Sequence, residues 1–154
     1  MQLSELLRPA AVKVVANVSS KKRLFQDLSD IVGSVYGLDA SAVFAALQDR
    51  EILGPTGVGH GVALPHARLQ GLETVIGAFV RLEKPLDFEA VDRQPVDLVF
   101  ALFAPEGSGV DHLKALALVS RTMRDGNVSA KLRANDDPDT LHTILTEAQA
   151  NRAA

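Results

Sequence analysis

The run Val96–Phe103, VDLVFALF, constrains the fold more than any other stretch of this chain. All of its residues are apolar except Asp97. A strand covered on both faces at the centre of a sheet has this composition, whereas a half-exposed strand alternates polar and apolar residues. A membrane-spanning helix needs about 20 apolar residues, so the run is too short to form one. The run therefore predicts the central strand of a covered sheet.

Strand and helix patterns alternate before and around this run. The β-branched residues of Val12–Val15 and the apolar segment 75–82 predict two further strands. Apolar residues at helical spacing after Ser20 predict a helix that ends at Gly37. Asp39 then caps a second predicted helix, which ends near Arg50 and buries Val43, Phe44 and Leu47.

Three helices are predicted after the central run. Ser108 and Asp111 have the spacing of a capping box at the start of a helix over 109–124. A short helix is expected at 129–133, and the Asp-Pro pair at 137–138 predicts the start of the last one. The predicted core face of the 109–124 helix consists of Leu113, Leu116, Ala117, Ser120 and Met123 or Arg124.

This alternation predicts the α/β class, as a single domain in which a mixed sheet of about five strands is flanked by helices on both faces. We expect one domain over residues 1–150 and a frayed C-terminal tail at 151–154. The order of the strands does not follow from the patterns.

Composition excludes several classes of function. The net charge of −3 over 154 residues gives no attraction to nucleic acid or anionic lipid. The absence of cysteine excludes disulfides, thiolate metal sites and cysteine nucleophiles. The first ten residues lack the basic and apolar regions of a signal peptide, so the expected location is the cytoplasm.

Glycines and prolines are concentrated around His66 in the segment 49–69. Pro65 moves Leu64 out of helical space, so His66 is expected at a strand end or turn. A histidine held there can offer one ring nitrogen to solvent while a neighbour holds the other. A neutral imidazole is nucleophilic and forms a labile P–N bond, which favours His66 as a carrier of a phosphoryl group. A hydrogen-bonded structural histidine is the alternative interpretation.

His112 and Arg50 are the predicted companions of His66. His112 falls one turn into the 109–124 helix, at the open edge of the sheet, where it can donate to a phosphate oxygen or orient the nucleophile. An exposed polar residue would occupy the same position equally well. Arg50 can neutralise charge on a transferring phosphoryl group. On the residues alone, a solvated arginine favoured by the helix dipole explains Arg50 better.

The residues before His66 offer further donors to an oxyanion. Thr56 has a hydroxyl, and Gly57, Gly59 and Gly61 allow the close approach of backbone N–H groups, although these glycines can equally serve only as turns. A Walker loop would need Lys and Ser or Thr after its last glycine, and a Rossmann fingerprint would need to enter a helix. The segment does neither, so nucleotide binding is not predicted.

A metal site is a competing interpretation of the histidines. His60, His66 and His112 together would resemble the three imidazoles of a catalytic zinc site. No carboxylate has the spacing of an HExxH site, however, and the three histidines come from two separate segments. We therefore predict no metal and no cofactor.

Five stretches of the chain carry a resemblance to a known family: LSELLRP, SSKKRLFQDLSDIV, REILGPTGVGHGVALPHARL, QPVDLVFALFAP and HLKALALVS. They resemble the mannitol- and fructose-type enzyme IIA domains (EIIA type 2) of the bacterial phosphoenolpyruvate-dependent phosphotransferase system. The nitrogen-related enzyme IIA is the most similar branch. The proline–histidine pair, the TGxGxG run and the distant His-Leu pair are specific only in combination.

The resemblance implies the mannitol-type enzyme IIA fold and roles for three residues. His66 would be phosphorylated by a histidine phosphocarrier protein of the HPr or NPr kind, His112 would be the second active-site histidine, and Arg50 would lie near both. His60 departs from the family pattern, since sugar-specific relatives carry Glu there and nitrogen-type ones usually Asn. A histidine at this position can bind phosphate or titrate, which affects the stability of the phosphohistidine.

The resemblance also implies a regulatory output. Nitrogen-type members signal metabolic state by binding targets such as potassium transporters or sensor kinases according to phosphorylation state. Two alternatives remain open: a sugar-specific enzyme IIA that passes phosphate to a IIB domain, and a non-catalytic binding module. In the latter, Val58, Val62 and Leu64 would form a docking rim.

Overall fold

The computed structural model describes the backbone of residues 1–153 and the side chains of residues 1–148. The predicted tail at 151–154 thus lies outside the residues described in full and stays a prediction. The helices are α1 (Leu3–Leu6), α2 (Lys21–Tyr36), α3 (Ala40–Leu53), α4 (Gly109–Arg124), α5 (Gly126–Arg133) and α6 (Pro138–Ala153). The strands are β1 (Val12–Val15), β2 (Gly57–Gly59), β3 (Val62–Ala63), β4 (His66–Leu69), β5 (Ile76–Leu86) and β6 (Val96–Pro105).

The strands form one mixed sheet in the order β1-β5-β6-β3-β2, and β4 also pairs with β6. β5 is antiparallel to β6, whereas β1 is parallel to β5, and β3 and β4 are parallel to β6. The prediction of an α/β fold with a mixed sheet flanked by helices is confirmed. The sheet has six strands rather than about five, because the glycine-rich segment contributes three short ones.

β6 is the central strand that its composition predicts. Every residue from Val96 to Ala104 is buried except Asp97, which is partly exposed. Phe100 packs edge-on against Phe79 of β5, with ring centroids 6.1 Å apart. Among the described residues, none of the helices is long and apolar enough to cross a membrane.

β3 and β4 lie along the same edge of β6 as two pieces of one interrupted strand. Val62 is opposite Leu98, and four residues further along β6 His66 is opposite Leu102. Pro65 lies between the two pieces, and its carbonyl accepts from the N–H of Leu102. Because proline has no N–H to donate, the edge strand breaks there and resumes at His66. His66 is therefore the first residue of a strand, as predicted.

The predicted side-chain cap of Asp39 is confirmed, Ser20 forms a cap that was not predicted, and the predicted cap of α4 is absent. The side chain of Ser20 accepts from Arg23 N–H, and that of Asp39 accepts from Ser41 N–H. The predicted capping box of Ser108 is wrong: its hydroxyl donates to the carbonyl of Pro105 at 2.9 Å instead. This contact holds the turn between β6 and α4 without using the helix N–H groups.

The predicted core face of α4 is wrong by one residue over most of its length, although Met123 is buried as predicted and Leu116 packs partly buried against the core. The buried residues of α4 are His112, Ala115, Leu118, Val119, Thr122 and Met123, whereas Leu113 is exposed. One residue corresponds to a rotation of about 100° around the helix axis. Hydrophobicity alone predicts that Leu113 faces the core, but in the structure His112 faces the core and Leu113 is exposed. The interior position of this turn therefore holds the imidazole of His112 rather than the side chain of Leu113. This arrangement brings the ring of His112 next to that of His66.

Candidate active site

His66 has its two ring nitrogens in different environments. Nδ1 lies 2.9 Å from the carbonyl oxygen of Leu64, and Nε2 lies 3.4 Å from Nε of Arg50. A guanidinium only donates and a carbonyl only accepts, so these two contacts select one tautomer. Nδ1 carries the hydrogen and donates it to Leu64, while Nε2 presents a lone pair. That lone pair makes Nε2 the nucleophilic atom of the ring.

The strand geometry of β4 determines which side chains share a face with His66. Successive side chains of a strand point to opposite faces, so His66 and Arg68 lie on one face and Ala67 and Leu69 on the other. Ala67 and Leu69 are buried in the core, which leaves His66 partly exposed and Arg68 exposed. The packing of these two apolar residues therefore fixes the direction of the two polar ones.

His112 lies beside His66, where the first turn of α4 approaches β4. The ring centroids are 5.6 Å apart and the ring planes are inclined by 71°. Only 7% of His112 is exposed, and its Nδ1 lies 3.4 Å from Nε of Arg68. Its Nε2 is buried and has no hydrogen-bond partner among the described residues. The site thus contains one buried polar atom that no described residue satisfies.

Both rings are held in the neutral form. Burial is the largest cause that lowers the pKa of His66 from its ordinary value of 6.5, and the positive charge of Arg50 adds to it. The Leu64 carbonyl and the Glu51 carboxylate act in the opposite direction but are weaker. Burial also lowers the pKa of His112, followed by the charges of His66 and Arg68. At pH 7 the nucleophilic lone pair is therefore available.

Arg50 is anchored close to the end of α3. Its Nη1 donates to the carbonyl of Gly54 at 3.0 Å, which leaves the Nε edge facing His66. Gly54 is the residue directly after the helix, so the arginine spans the turn that leads into the glycine-rich segment. The structure thus brings together His66, His112 and Arg50, the three principal residues predicted from the sequence.

Thr56 uses its donors within the protein. Its hydroxyl donates to Oε1 of Glu51 at 2.6 Å and its N–H to Oε2 at 3.0 Å. Lys21 of α2 forms an ion pair with the same carboxylate at 2.9 Å. These contacts hold the turn after α3, so Thr56 has no free donor for a phosphate oxygen in this arrangement. Its predicted phosphate contact stays a prediction.

Gly57, Gly59, His60 and Gly61 form the β2–β3 hairpin, which lies away from His66. Since β3 and β4 meet β6 four residues apart, Val62 and His66 are separated by about 13 Å along the strand, and Gly57, which pairs with Ala63, is separated from His66 by about 10 Å. His60 has a positive φ of 57° at the turn, and its N–H donates to Asp92 at 2.9 Å. The structure does not bring these predicted phosphate contacts to the His66 ring, and they stay predictions.

The same separation bears on the zinc alternative. His60 cannot join His66 and His112 at one ion across that distance. Among the described residues, no group of three or more His, Cys, Asp or Glu side chains is arranged to hold a metal.

Two features of the site were missed in the sequence. The first is Arg68, which contacts His112; its signal was the His-x-Arg spacing that places both residues on one face of a strand. The second is a set of exposed apolar side chains, called the apolar rim below, on the two helices that carry Arg50 and His112: Ile52 and Leu53 of α3 and Val110 and Leu113 of α4. These side chains are 66–83% exposed, next to Arg50 and His112 in the sequence. The predicted rim is largely absent, since Val62 and Leu64 are buried and only Val58 is exposed.

The chain is similar to known proteins along nearly its whole length. Residues 5–148 match the family model described as "Phosphoenolpyruvate-dependent sugar phosphotransferase system, EIIA 2". A nitrogen regulatory protein of Bradyrhizobium diazoefficiens is 46% identical over 153 residues, which is 99% of this chain and 100% of that protein.

Solved structures give the same result. The nitrogen regulatory protein IIA-Ntr of Neisseria meningitidis superposes with a TM-score of 0.84 at 35% identity, covering 92% of this chain and 97% of that one. The mannitol IIA of Escherichia coli shares the fold, with a TM-score of 0.71 at 17% identity over 86% of this chain and 95% of that one. The chain therefore belongs to the EIIA type 2 family of the phosphoenolpyruvate-dependent sugar phosphotransferase system, among its nitrogen regulatory proteins.

Proposed function

We propose that this protein accepts a phosphoryl group on Nε2 of His66 from a histidine phosphocarrier protein, and that the group changes which targets the protein binds. One observation carries the proposal. Nε2 of His66 is unprotonated and lies beside the guanidinium of Arg50, with the ring of His112 close by, while Nδ1 is held by the Leu64 carbonyl.

The chemistry follows from the tautomer of His66. The Nε2 lone pair attacks the phosphorus of the donor's phosphohistidine, a new P–N bond forms, and the donor's P–N bond breaks. The donor imidazole leaves with the electron pair of the broken bond. His66 needs no proton transfer, because Nδ1 keeps its hydrogen and its contact with Leu64. One P–N bond replaces another, so the transfer is reversible.

Arg50 and His112 stabilise the transferring group. Charge spreads over the phosphoryl oxygens during transfer, and fixed donors aimed at those oxygens lower the barrier. Arg50 supplies a guanidinium beside Nε2 of His66. The ring of His112, 5.6 Å from that of His66, is placed to supply a second donor. As the P–N bond forms, Arg50 Nε exchanges its contact with His66 Nε2 for one with a phosphoryl oxygen, while its Nη1 stays anchored to the Gly54 carbonyl.

The phosphocarrier docks on the apolar rim of Ile52, Leu53, Val110 and Leu113. A donor must bring its own phosphohistidine to Nε2 of His66, so its surface has to cover the residues around that atom. Apolar side chains exposed to this extent at a functional site are typical of a protein-binding surface.

The output is regulatory. A phosphoryl group adds about two negative charges to the surface that carries the rim, so targets that bind the unmodified face would be repelled or replaced. We place these targets in nitrogen and potassium metabolism, such as potassium transporters or sensor kinases, in the cytoplasm. The sugar-specific alternative would pass the group to a IIB domain, as the mannitol protein of Escherichia coli is described in a complex with phosphorylated IIB.

Phosphorylation by the purified system tests this proposal. The protein is incubated with phosphoenolpyruvate, the first enzyme and the phosphocarrier, and its intact mass is measured. We expect a gain of one phosphoryl group that is stable in base and labile in acid. Target binding is then compared for the phosphorylated and unmodified forms and for His66→Ala. No mass gain would contradict the carrier role, and equal target binding by all forms would favour a binding module without a phosphorylation switch.

A further inference from the structure

The two ring nitrogens of His112 have different surroundings, as do those of His66. Nδ1 faces Nε of Arg68, whereas Nε2 is buried without a partner among the described residues. Nothing in the proposed chemistry explains which of these two nitrogens carries the hydrogen. The answer matters because only a protonated Nε2 can donate to a phosphoryl oxygen, and only an unprotonated one can itself take up a phosphoryl group.

We propose that Arg68 is a positioning residue that fixes His112 as the Nε2–H tautomer, so that His112 donates to the phosphoryl group on His66 and does not accept that group itself. This inference rests on the proposed carrier function of His66. Arg68 thus determines which nitrogen of His112 can donate a hydrogen bond, although Arg68 itself does not contact the reacting atoms.

The assignment follows from the chemistry of the contact. An arginine side chain has only donors, so the Nδ1 that it faces must act as the acceptor. The single hydrogen of a neutral imidazole is then on Nε2. The distance of 3.4 Å is at the long end for a hydrogen bond, but the positive charge of Arg68 also favours the lone pair at Nδ1. A doubly protonated ring is disfavoured by burial of His112 and by the same charge.

The pairing of β4 holds Arg68 in the position from which it contacts His112. Arg68 lies two residues after His66 on the same face of β4, and it is paired opposite Ala104 of β6. Its neighbours Ala67 and Leu69 are buried, so the strand cannot turn without exposing them. One short strand thus carries both the nucleophile and the residue that orients its companion.

With these two tautomers, Nε2 of His66 is the atom that can accept the phosphoryl group, and His112 cannot compete for it through Nε2. His66 has its hydrogen on Nδ1 and presents a lone pair at Nε2, whereas His112 has its hydrogen on Nε2 and presents a donor. Without Arg68, His112 would be free to exchange its hydrogen between both nitrogens. The stabilising donor would then be present for only part of the time, which lowers the rate of transfer without affecting the docking rim.

Heteronuclear NMR of the unphosphorylated protein tests the tautomer directly. Protein labelled with ¹⁵N-histidine is measured above the pKa of the ring, where the Nδ1 and Nε2 shifts of a neutral imidazole identify the protonated nitrogen. We expect Nε2–H for His112 in the wild type and in Arg68→Lys, which keeps a cationic donor. We expect a mixture of tautomers in Arg68→Met. Arg23→Met is the matched control, because it removes an arginine from the exposed face of α2.

Transfer kinetics on the same variants complete the test. We expect Arg68→Met to lower kcat about tenfold with little change in KM for the phosphocarrier, and Arg68→Lys to restore most of the loss. Nδ1–H in the wild type, or an unchanged tautomer in Arg68→Met, would overturn the proposal. If the wild type shows the expected tautomer but accepts no phosphoryl group, the carrier function fails while the positioning by Arg68 stands.

Discussion

The glycine-rich segment carries two histidines, and their surroundings differ in every respect that matters for chemistry. His66 begins a strand, is partly buried, and has Arg50 and a second histidine at its ring. His60 is exposed at a hairpin turn, and its contacts with Asp92 and Arg133 are made by its backbone N–H and carbonyl. The ring of His66 thus has polar side chains beside it, whereas His60 makes its contacts through the main chain.

This difference shows what makes a histidine a site in such a segment. Glycines and prolines surround both residues in the sequence, so they do not distinguish them. What distinguishes them is the packing of other elements: α3 and α4 bring Arg50 and His112 to the ring of His66. At His60 the converging residues, Arg133 and Asp92, hold the turn in place.

Replacing each histidine in turn should give the largest contrast. We expect His66→Ala to abolish phosphoryl acceptance, because the nucleophile is lost. We expect His60→Asn to retain transfer within about twofold, since asparagine tolerates the positive φ of this turn. Intact mass after incubation with the phosphotransfer system measures both. Loss of transfer in His60→Asn in a folded protein would place the hairpin in the site after all.

Arg50, beside His66, should affect the rate of phosphoryl transfer, whereas Arg133, beside His60, should affect the free energy of unfolding. We expect Arg50→Met to slow transfer on the order of 100-fold, as for the loss of one fixed donor to a transition state. Arg133 forms a bidentate ion pair with Asp97 and also donates to the His60 carbonyl. We therefore expect Arg133→Met to lower the free energy of unfolding by about 1–2 kcal/mol. Transfer rates and urea unfolding distinguish the two; equal slowing by both variants would contradict the comparison.

The hairpin turn can be tested without removing a polar group. Gly61 has a positive φ of 78°, and a Cβ there would meet the guanidinium of Arg133 and the carboxylate of Asp97. We expect Gly61→Ala to lower the unfolding free energy by about 1–3 kcal/mol, through backbone strain and the displaced ion pair. Gly71→Ala is the matched control, since it has a similar φ of 83° but open space around it. Equal losses in the two variants would show that strain alone matters.

The smallest effect concerns the protonation of His66. Because burial and Arg50 lower its pKa, we expect NMR titration to find its midpoint below 6.5, so that protonation at Nε2 blocks transfer only in more acidic solution. Removing the positive charge in Arg50→Met should move the midpoint toward higher pH. A wild-type midpoint above 6.5 would show that the Leu64 and Glu51 interactions outweigh burial.

Much of this arrangement was predictable from the sequence. The apolar run of β6 and the position of His66 after Pro65 follow from local rules, because central strands and proline breaks depend on nearby residues. Arg50 and His112 are favoured by the family resemblance rather than by local rules, which explain a solvated arginine or an exposed polar residue equally well or better. Their convergence on one ring depends on the pairing of β4 with β6 and on the packing of α3, which link residues far apart in the chain.

The errors have a common physical cause. Leu113 was expected inside α4 because hydrophobicity normally sets the buried face, yet a functional site reverses that preference by burying His112 and exposing an apolar rim. Ser108 is predicted as a side-chain cap, but its hydroxyl is oriented to donate to the Pro105 carbonyl and its oxygen accepts no helix N–H. Arg68 was overlooked because a single arginine in a strand is usually a solvated surface residue.

The position of the phosphoryl group tests the central claim most directly. The protein, labelled with ¹⁵N-histidine, is phosphorylated, and NMR coupling between phosphorus and nitrogen identifies the bonded atom. The account predicts coupling to Nε2 of His66 with a hydrogen retained on Nδ1. Coupling to Nδ1 of His66, or to any nitrogen of His112 or His60, would contradict it.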